Sequence, residues 1–247
     1  SLMSLPESWF AQIDIPVALE NAWQEARQRL DAGLDAAGAD PAVTDAWLSL
    51  SDVRRRELAR LVLLSDFALD ALVTRPALLP GLIDSGELEA APNRAQIEDA
   101  LHQALAEADD EASFHRALRR FRQARMLGIV WRDLNGAEMW QTAAKVSELA
   151  EVCLEGALGW LETHLAPRWG SPAPRRDGSP QRLIVLGMGK LGAGELNLSS
   201  DIDLIFAFPE KGTTRGGERE YDHQQYFTKL GQKLIAALDE ITADGFA

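Results

Sequence analysis

Residues Leu186–Phe208, LGMGKLGAGELNLSSDIDLIFAF, constrain the fold more than any other stretch of this chain. An apolar run, Leu183–Leu186, feeds a glycine-rich turn, a short polar segment follows, and a second apolar run carries two carboxylates, Asp201 and Asp203. The stretch reads as strand, phosphate-facing turn, short helix, strand, with the strands over Arg182–Gly187 and Asp201–Phe208. Side chains alternate between the two faces of a strand, so Asp201 and Asp203 are expected on one face and Ile202 and Leu204 on the other, toward a core. Two carboxylates side by side on a rigid strand suit a hard divalent cation such as Mg²⁺, which takes oxygen ligands and brings substrate phosphates with it. The glycines upstream let backbone N–H groups approach those phosphates.

Residues 4–167 read almost wholly as helix. Leu19, Trp23, Ala26 and Leu30 step at helical spacing, with Gly33 and Gly38 punctuating the end. Asp40-Pro41 opens a segment with Val43, Trp47 and Leu50 on one face. Ser51 caps a predicted long helix through Val73, and Leu78–Leu82 forms an apolar connector around Pro80. Asn93 and Gln96 resemble a capping box ahead of a helix that buries Ile97, Leu101 and Leu105 and stops near Asp109-Asp110. Glu111–Leu134 is a helix holding the one basic island, Arg116, Arg119, Arg120, Arg122, Arg125 and Arg132. It reads first as a solvated charged face paired with acidic neighbours, and second as the border of a phosphate site or acidic partner. Ala137–Leu165 is another long helix, and Trp131, Trp140 and Trp160 are expected to be core and helix-contact residues. Pro167–Pro180 is rich in proline, glycine and serine and marks the domain boundary. The expected division is a helical domain over 1–167, a linker over 168–180 and a partial catalytic domain over 181–247. Phe227, Leu230, Leu234, Ile235 and Leu238 give a buried stripe to a final helix, Tyr221–Thr242, before an Asp244-Gly245 turn. Two strands do not complete a domain, so the chain is expected to be cut short inside its catalytic part. The fold class is α+β, predominantly α.

The 247 residues suffice for one large or two ordinary domains. The net charge of −13 argues against a general nucleic-acid binder, which needs a basic surface. The single cysteine, Cys153, fits a reducing cytoplasm and a buried structural thiol. No apolar window approaches the roughly 20 residues that cross a bilayer, and no signal peptide is evident. Ser1-Leu2 reads as a cloning remnant ahead of Met3.

Three nucleotide chemistries compete for the glycine turn. Gly187-x-Gly189-x-x-Gly192 matches the dinucleotide fingerprint, with Glu210 at a distance suited to a ribose. That fingerprint needs a helix of several turns, for which Gly192, Gly194, Asn197, Ser199 and Ser200 leave little room, and it does not account for the acid pair. A Walker loop fails, because Lys190 is not followed by Ser or Thr. The remaining reading resembles the DNA polymerase β-like nucleotidyltransferases, in which a strand, a glycine turn, a short helix and an Asp-x-Asp strand precede a third carboxylate on a later strand. Two cations there clamp the attacking and leaving oxygens of an in-line displacement. Backbone amides of the turn, with Lys190, offset phosphate charge.

The wording E-L-N-L-S-S-D-I-D-L-I-F, then P-E-x-G-T-T-R-G-G, then Y-F-T-K-L-G-Q-K-L-I, with L-R-R-F-R-Q-A-R-M-L-G-I-V-W-R-D-L at Leu118–Leu134, resembles the bifunctional glutamine synthetase adenylyltransferase/adenylyl-removing enzymes. The likeness covers most of residues 50–247, and the acid-pair wording is similar to the family's N-terminal, adenylyl-removing copy. It implies a cytoplasmic enzyme of nitrogen metabolism that removes AMP from a tyrosine of glutamine synthetase, using phosphate and releasing ADP. The C-terminal copy would run the ATP-dependent reverse modification. It implies Asp201 and Asp203 as catalytic Mg²⁺ ligands, and Gly187, Gly189, Lys190 and Ser200 around the nucleotide phosphates. Glutamine synthetase, a PII-type signal protein, ATP or ADP, and phosphate are the implied partners, with neither nucleic acid nor membrane. The family's third acid follows the D-G-F turn, so the chain alone is expected to be inactive. The rival expectations are a dinucleotide-binding oxidoreductase domain, or a non-catalytic module that docks glutamine synthetase or a PII-type protein.

Overall fold

A computed structural model describes residues 4–38, 40–194 and 203–243, with the side chains of 240–243 left aside. The elements run α1 (Glu7–Phe10), a 3-10 turn (Val17–Leu19), α2 (Glu20–Ala36), α3 (Pro41–Leu48), α4 (Asp52–Leu64), α5 (Asp66–Thr74), α6 (Leu78–Ser85), α7 (Arg94–Ala106), α8 (Glu111–Leu134) and α9 (Met139–Trp169). They continue with β1 (Ser171–Pro172), β2 (Ile184–Gly187), α10 (Gly189–Gly192), β3 (Leu204–Ala207), β4 (Thr214–Arg215) and α11 (His223–Ala243). The chain divides into two compact units, Ser1–Pro92 with Gln123–Thr142, and Asn93–Arg122 with Ala143–Ala247. The proline-rich stretch at 168–180 lies inside the second unit.

The first unit is built on tryptophans whose polar edges are satisfied. Trp9 donates its indole N–H to Trp47 O at 2.7 Å, Trp47 to Pro76 O at 2.9 Å, and Trp131 to Glu57 Oε2 at 2.9 Å. Burying an indole is favourable only when that donor finds a partner. Trp140 departs from expectation: it is exposed and donates to Glu138. Asp40 caps α3 through Ala42 N, with Pro41 at the first helical position, as its wording predicts.

Three helix boundaries differ from the sequence reading. The helix expected over Ser51–Val73 is two, because Ser65 leaves the helical region (φ −135°, ψ 107°) and its Oγ accepts from Ala68 N to start α5. The connector expected at Leu78–Leu82 is helix α6, where Pro80 sits in the first turn and its missing N–H has no partner to lose. Gly33 lies within α2 rather than at its end: an added Cβ would stand 2.5 Å from Val73 O, so the glycine permits close approach of α2 and α5. Gly38, with φ +74°, is the residue that ends the helix.

The basic island is not one solvated face. Arg116 and Arg120 are exposed, but Arg125 lies 2.8 Å from the buried carboxylate of Glu87, and Arg132 donates to Glu87 O at 2.7 Å. Gly128 makes room for that carboxylate, since a Cβ there would meet Glu87 Oε2 at 2.6 Å. Within the second unit, Arg122 approaches the buried thiol of Cys153, and burial pulls its guanidinium below the usual range.

In the second unit, the capping box of α7 forms with both bonds at 2.9 Å. That helix ends at Ala106, before the acids, because Asp110 caps α8 by accepting from Ser113 N at 2.7 Å. Ile97, Leu101 and Leu105 are buried, as are Val146, Leu149, Val152, Cys153, Leu158 and Leu161 of α9, which runs beyond the expected Leu165 to Trp169. An added Cβ on Gly156 would meet Leu101 Cδ2 at 2.4 Å, which sets how closely α7 and α9 approach. Tyr226, Phe227, Leu230, Leu234 and Ala237 form the buried stripe of α11, while Ile235, expected inside, is exposed. No helix among the described residues is long and apolar enough to cross a membrane.

Candidate functional site

The two apolar runs pair as expected strands, but shorter. β2 and β3 lie antiparallel in the register Ile184↔Ala207, Val185↔Phe206, Leu186↔Ile205 and Gly187↔Leu204. Phe206 approaches Gly231 of α11, where its ring stands 3.5 Å from an ideal Cβ, and Phe208 stacks on Phe227 at 5.2 Å. One side of the pair is thereby fixed to α11. Leu204 is half-buried, as its place on the inner face requires.

The turn that follows β2 is made possible by three glycines with separate reasons. Gly189 has φ +57°, a left-handed conformation that other residues resist. A Cβ on Gly187 would collide with Leu191 at 2.9 Å, and one on Gly192 with Gly187 O at 2.5 Å. The turn therefore folds on itself as helix α10, a single four-residue turn anchored by the buried Leu191. Lys190 is exposed and makes no hydrogen bond or ion pair among the described residues.

Asp203 sits immediately before β3. Its carbonyl accepts from Met188 N at 2.9 Å, which carries the antiparallel ladder one step past Gly187. Its carboxylate is exposed and unpaired among the described residues. Gly187, Gly189, Lys190 and Asp203 are thus gathered at one end of the β2–β3 pair. Asp201 and Ser200 lie outside the described residues, so the same-face relation of the two acids does too. Among the described residues no cluster of three metal-ligating side chains occurs. The donor chemistry of Asp203, an exposed carboxylate beside backbone freed by glycine, is compatible with an oxygen-loving cation.

The dinucleotide reading does not survive this geometry. It requires parallel strands joined by a helix of several turns. Here the strands are antiparallel and α10 has four residues. Glu210, the expected ribose ligand, is occupied elsewhere: its carboxylate accepts from Arg176 N at 3.1 Å and its N–H donates to Gln181 Oε1 at 2.9 Å.

Sequence reasoning missed the residues that brace this end of the molecule. β1 pairs with β4, Ser171 opposite Arg215 and Pro172 opposite Thr214. The buried Gln181 donates to Ala173 O at 2.9 Å while its oxygen holds Glu210 N. The buried His223 donates from Nδ1 to Glu210 O at 2.7 Å and accepts from Ala173 N at Nε2, 3.2 Å away, which assigns its tautomer. Gly212 leaves room for that imidazole, whose Cε1 would be 2.7 Å from an added Cβ. A histidine opening an amphipathic helix just after a glycine-containing loop was the available signal.

A family model described as glutamate-ammonia ligase adenylyltransferase matches residues 55–247. The bifunctional glutamine synthetase adenylyltransferase/adenylyl-removing enzyme of Pseudomonas aeruginosa is 44% identical over 245 residues, 99% of this chain and 24% of that protein. Proteins of the same description from Pseudomonas putida and Pseudomonas syringae pv. tomato are 41% and 40% identical, over 94% and 99% of this chain and 23% and 24% of their own lengths. The chain therefore spans roughly a quarter of each of these relatives. The family match begins inside α4 and takes in the glycine turn, Asp203 and α11, and the chain belongs to the glutamate-ammonia ligase adenylyltransferase family.

Proposed function

We propose that this chain supplies the adenylyl-removing half of a bifunctional enzyme that modifies glutamine synthetase, and that residue 181 onward begins a DNA polymerase β-like nucleotidyltransferase domain. The observation that carries the reading is the Met188 N to Asp203 O bond, which holds an unpaired carboxylate beside the glycine turn. In the proposed reaction a phosphate oxygen attacks the phosphorus of tyrosine-linked AMP. The new P–O bond makes ADP, the bond to the tyrosine oxygen breaks, and that oxygen takes up a proton. Asp201 and Asp203 would hold Mg²⁺, which supplies charge stabilisation at the phosphate oxygens. Lys190 adds a mobile cation there, and Gly187 and Gly189, with Ser200, let the chain's backbone lie against the nucleotide. Glutamine synthetase and a PII-type signal protein are the proposed protein partners, in the cytoplasm.

Titration of ADP against the chain tests this. Saturable binding is expected only with Mg²⁺, weakened about tenfold or more in Asp203→Asn. Mg²⁺-independent ADP binding, or preferential binding of NAD(H), would sink the reading. With adenylylated glutamine synthetase and phosphate, any product is expected to be ADP. Incorporation of AMP from ATP would assign the opposite direction.

A further inference from the structure

A glycine inside a helix costs about 1 kcal/mol relative to alanine, and packing usually explains it. Gly156 of α9 is explained by Leu101, but Gly159, one turn on, is not: an added Cβ would meet nothing within 4 Å. Gly159 instead floors a groove of about 630 Å³ between α7 and α9, with apolar walls that include Leu101, Leu105, Val152 and Trp160. That volume lies in the range of small-molecule sites, which are mostly apolar with a few convergent polar groups. A second hollow of about 460 Å³ shares Glu155 and Arg182 with it and is lined also by Gly187 and Leu191 of the glycine turn.

The polar groups around the groove select a charge. Arg94 is held by Glu151 at 2.6 Å and Glu98 at 2.8 Å, with Glu155 at 3.5 Å, so one guanidinium serves three carboxylates. Arg182 donates to Glu162 Oε1 from Nη2 at 2.6 Å and from Nε at 3.0 Å, with Nε also 3.2 Å from Oε2. Both cations are committed, whereas Asp99 on the groove wall has no partner among the described residues. Among the described residues an entering anion finds only the His102 imidazole uncommitted, whereas an entering cation meets the carboxylates of Glu98, Asp99 and Glu155.

We propose that the α7–α9 groove binds a small organic ammonium ion with an aliphatic body, the body over Gly159 and the charge at Asp99 and Glu155. The site is independent of the proposed transferase reading.

The test uses the whole chain and n-hexylammonium as probe, followed by calorimetry. Saturable binding is expected, with hexanoate, of equal length and opposite charge, weaker by about tenfold or more. Gly159→Leu adds a side chain at the floor, where its Cβ meets nothing within 4 Å. It is expected to weaken hexylammonium binding about tenfold while leaving the unfolding midpoint no lower than in the parent. Asp99→Asn is expected to weaken binding several-fold. Equal binding of the two probes, undiminished binding by Gly159→Leu, or no saturation at all would overturn the proposal. Should Gly159→Leu not fold, the Trp160 indole N–H resonance of the parent decides: a shift with hexylammonium supports the site, and none refutes it.

Discussion

Three helix-interior glycines provide a graded test of the packing, because alanine brings each the same gain in helix propensity, about 1 kcal/mol. They differ only in what the new methyl group meets. At Gly33 it meets the backbone oxygen of Val73 at 2.5 Å, which cannot swing aside; reaching ordinary contact at 3.4 Å requires α2 and α5 to part by about 0.9 Å. Overpacking of this kind costs about 1–3 kcal/mol, so against the propensity gain Gly33→Ala is expected to lose up to about 2 kcal/mol net. At Gly156 the obstacle is the end of the Leu101 side chain, which can change rotamer, and Gly156→Ala is expected to be near neutral. At Gly159 the space is open, and Gly159→Ala is expected to gain most of the propensity term. Thermal unfolding followed by far-ultraviolet circular dichroism reads the series, since 1 kcal/mol shifts the midpoint of a chain this size by about 2–4 °C. The expected order is Gly159→Ala above the parent, Gly156→Ala beside it and Gly33→Ala below. If Gly33→Ala melts as high as Gly159→Ala, the close approach of α2 and α5 is wrong.

Two further outcomes follow from buried groups. His223→Ala strips Glu210 O of its partner, while Ala173 N keeps its second acceptor, Thr213 O at 3.2 Å, so with one orphaned group the variant is expected to lose about 1–3 kcal/mol; an unfolding midpoint equal to the parent's would refute the brace. Burial pushes the Cys153 thiol from 9.0 to about 12, so the unfolded chain releases this proton first and stability falls as pH rises between those values, by at most about 1.4 kcal/mol per pH unit. Cys153→Ala is expected to flatten that alkaline slope, and the native thiol is expected to resist thiol reagents at pH 8; rapid labelling of the folded protein would contradict its burial.

Local chemistry was legible where it acts locally. The Asn93–Gln96 capping box, the Asp40-Pro41 start and the limits of α8 all follow from side chains that satisfy nearby backbone. The glycine turn was legible because the apolar runs on either side define the pair of strands, although β3 begins at Leu204 and leaves Asp203 just before the strand rather than on it. What escaped depends on distant neighbours. Nothing near Gly33 announces Val73, and nothing near Ser171 announces Arg215. Ser65 fits a helical stripe by spacing, yet its hydroxyl does more by starting α5 than by continuing α4. The basic island looked uniform because periodicity does not reveal Glu87, which sits far away in sequence and draws in Arg125.

The bracing of Ala173 by Gln181 and His223 bears on how the C-terminal part of the chain can be excised. A recombinant piece starting at residue 181 would keep both side chains but discard the peptide they grip, and would strip β4 of its only strand neighbour among the described residues. Its first turn of polypeptide would then be frayed and its histidine half-employed. A gene boundary placed upstream of α9 preserves the clasp, so the proline-rich wording between α9 and β2 is a poor place to cut.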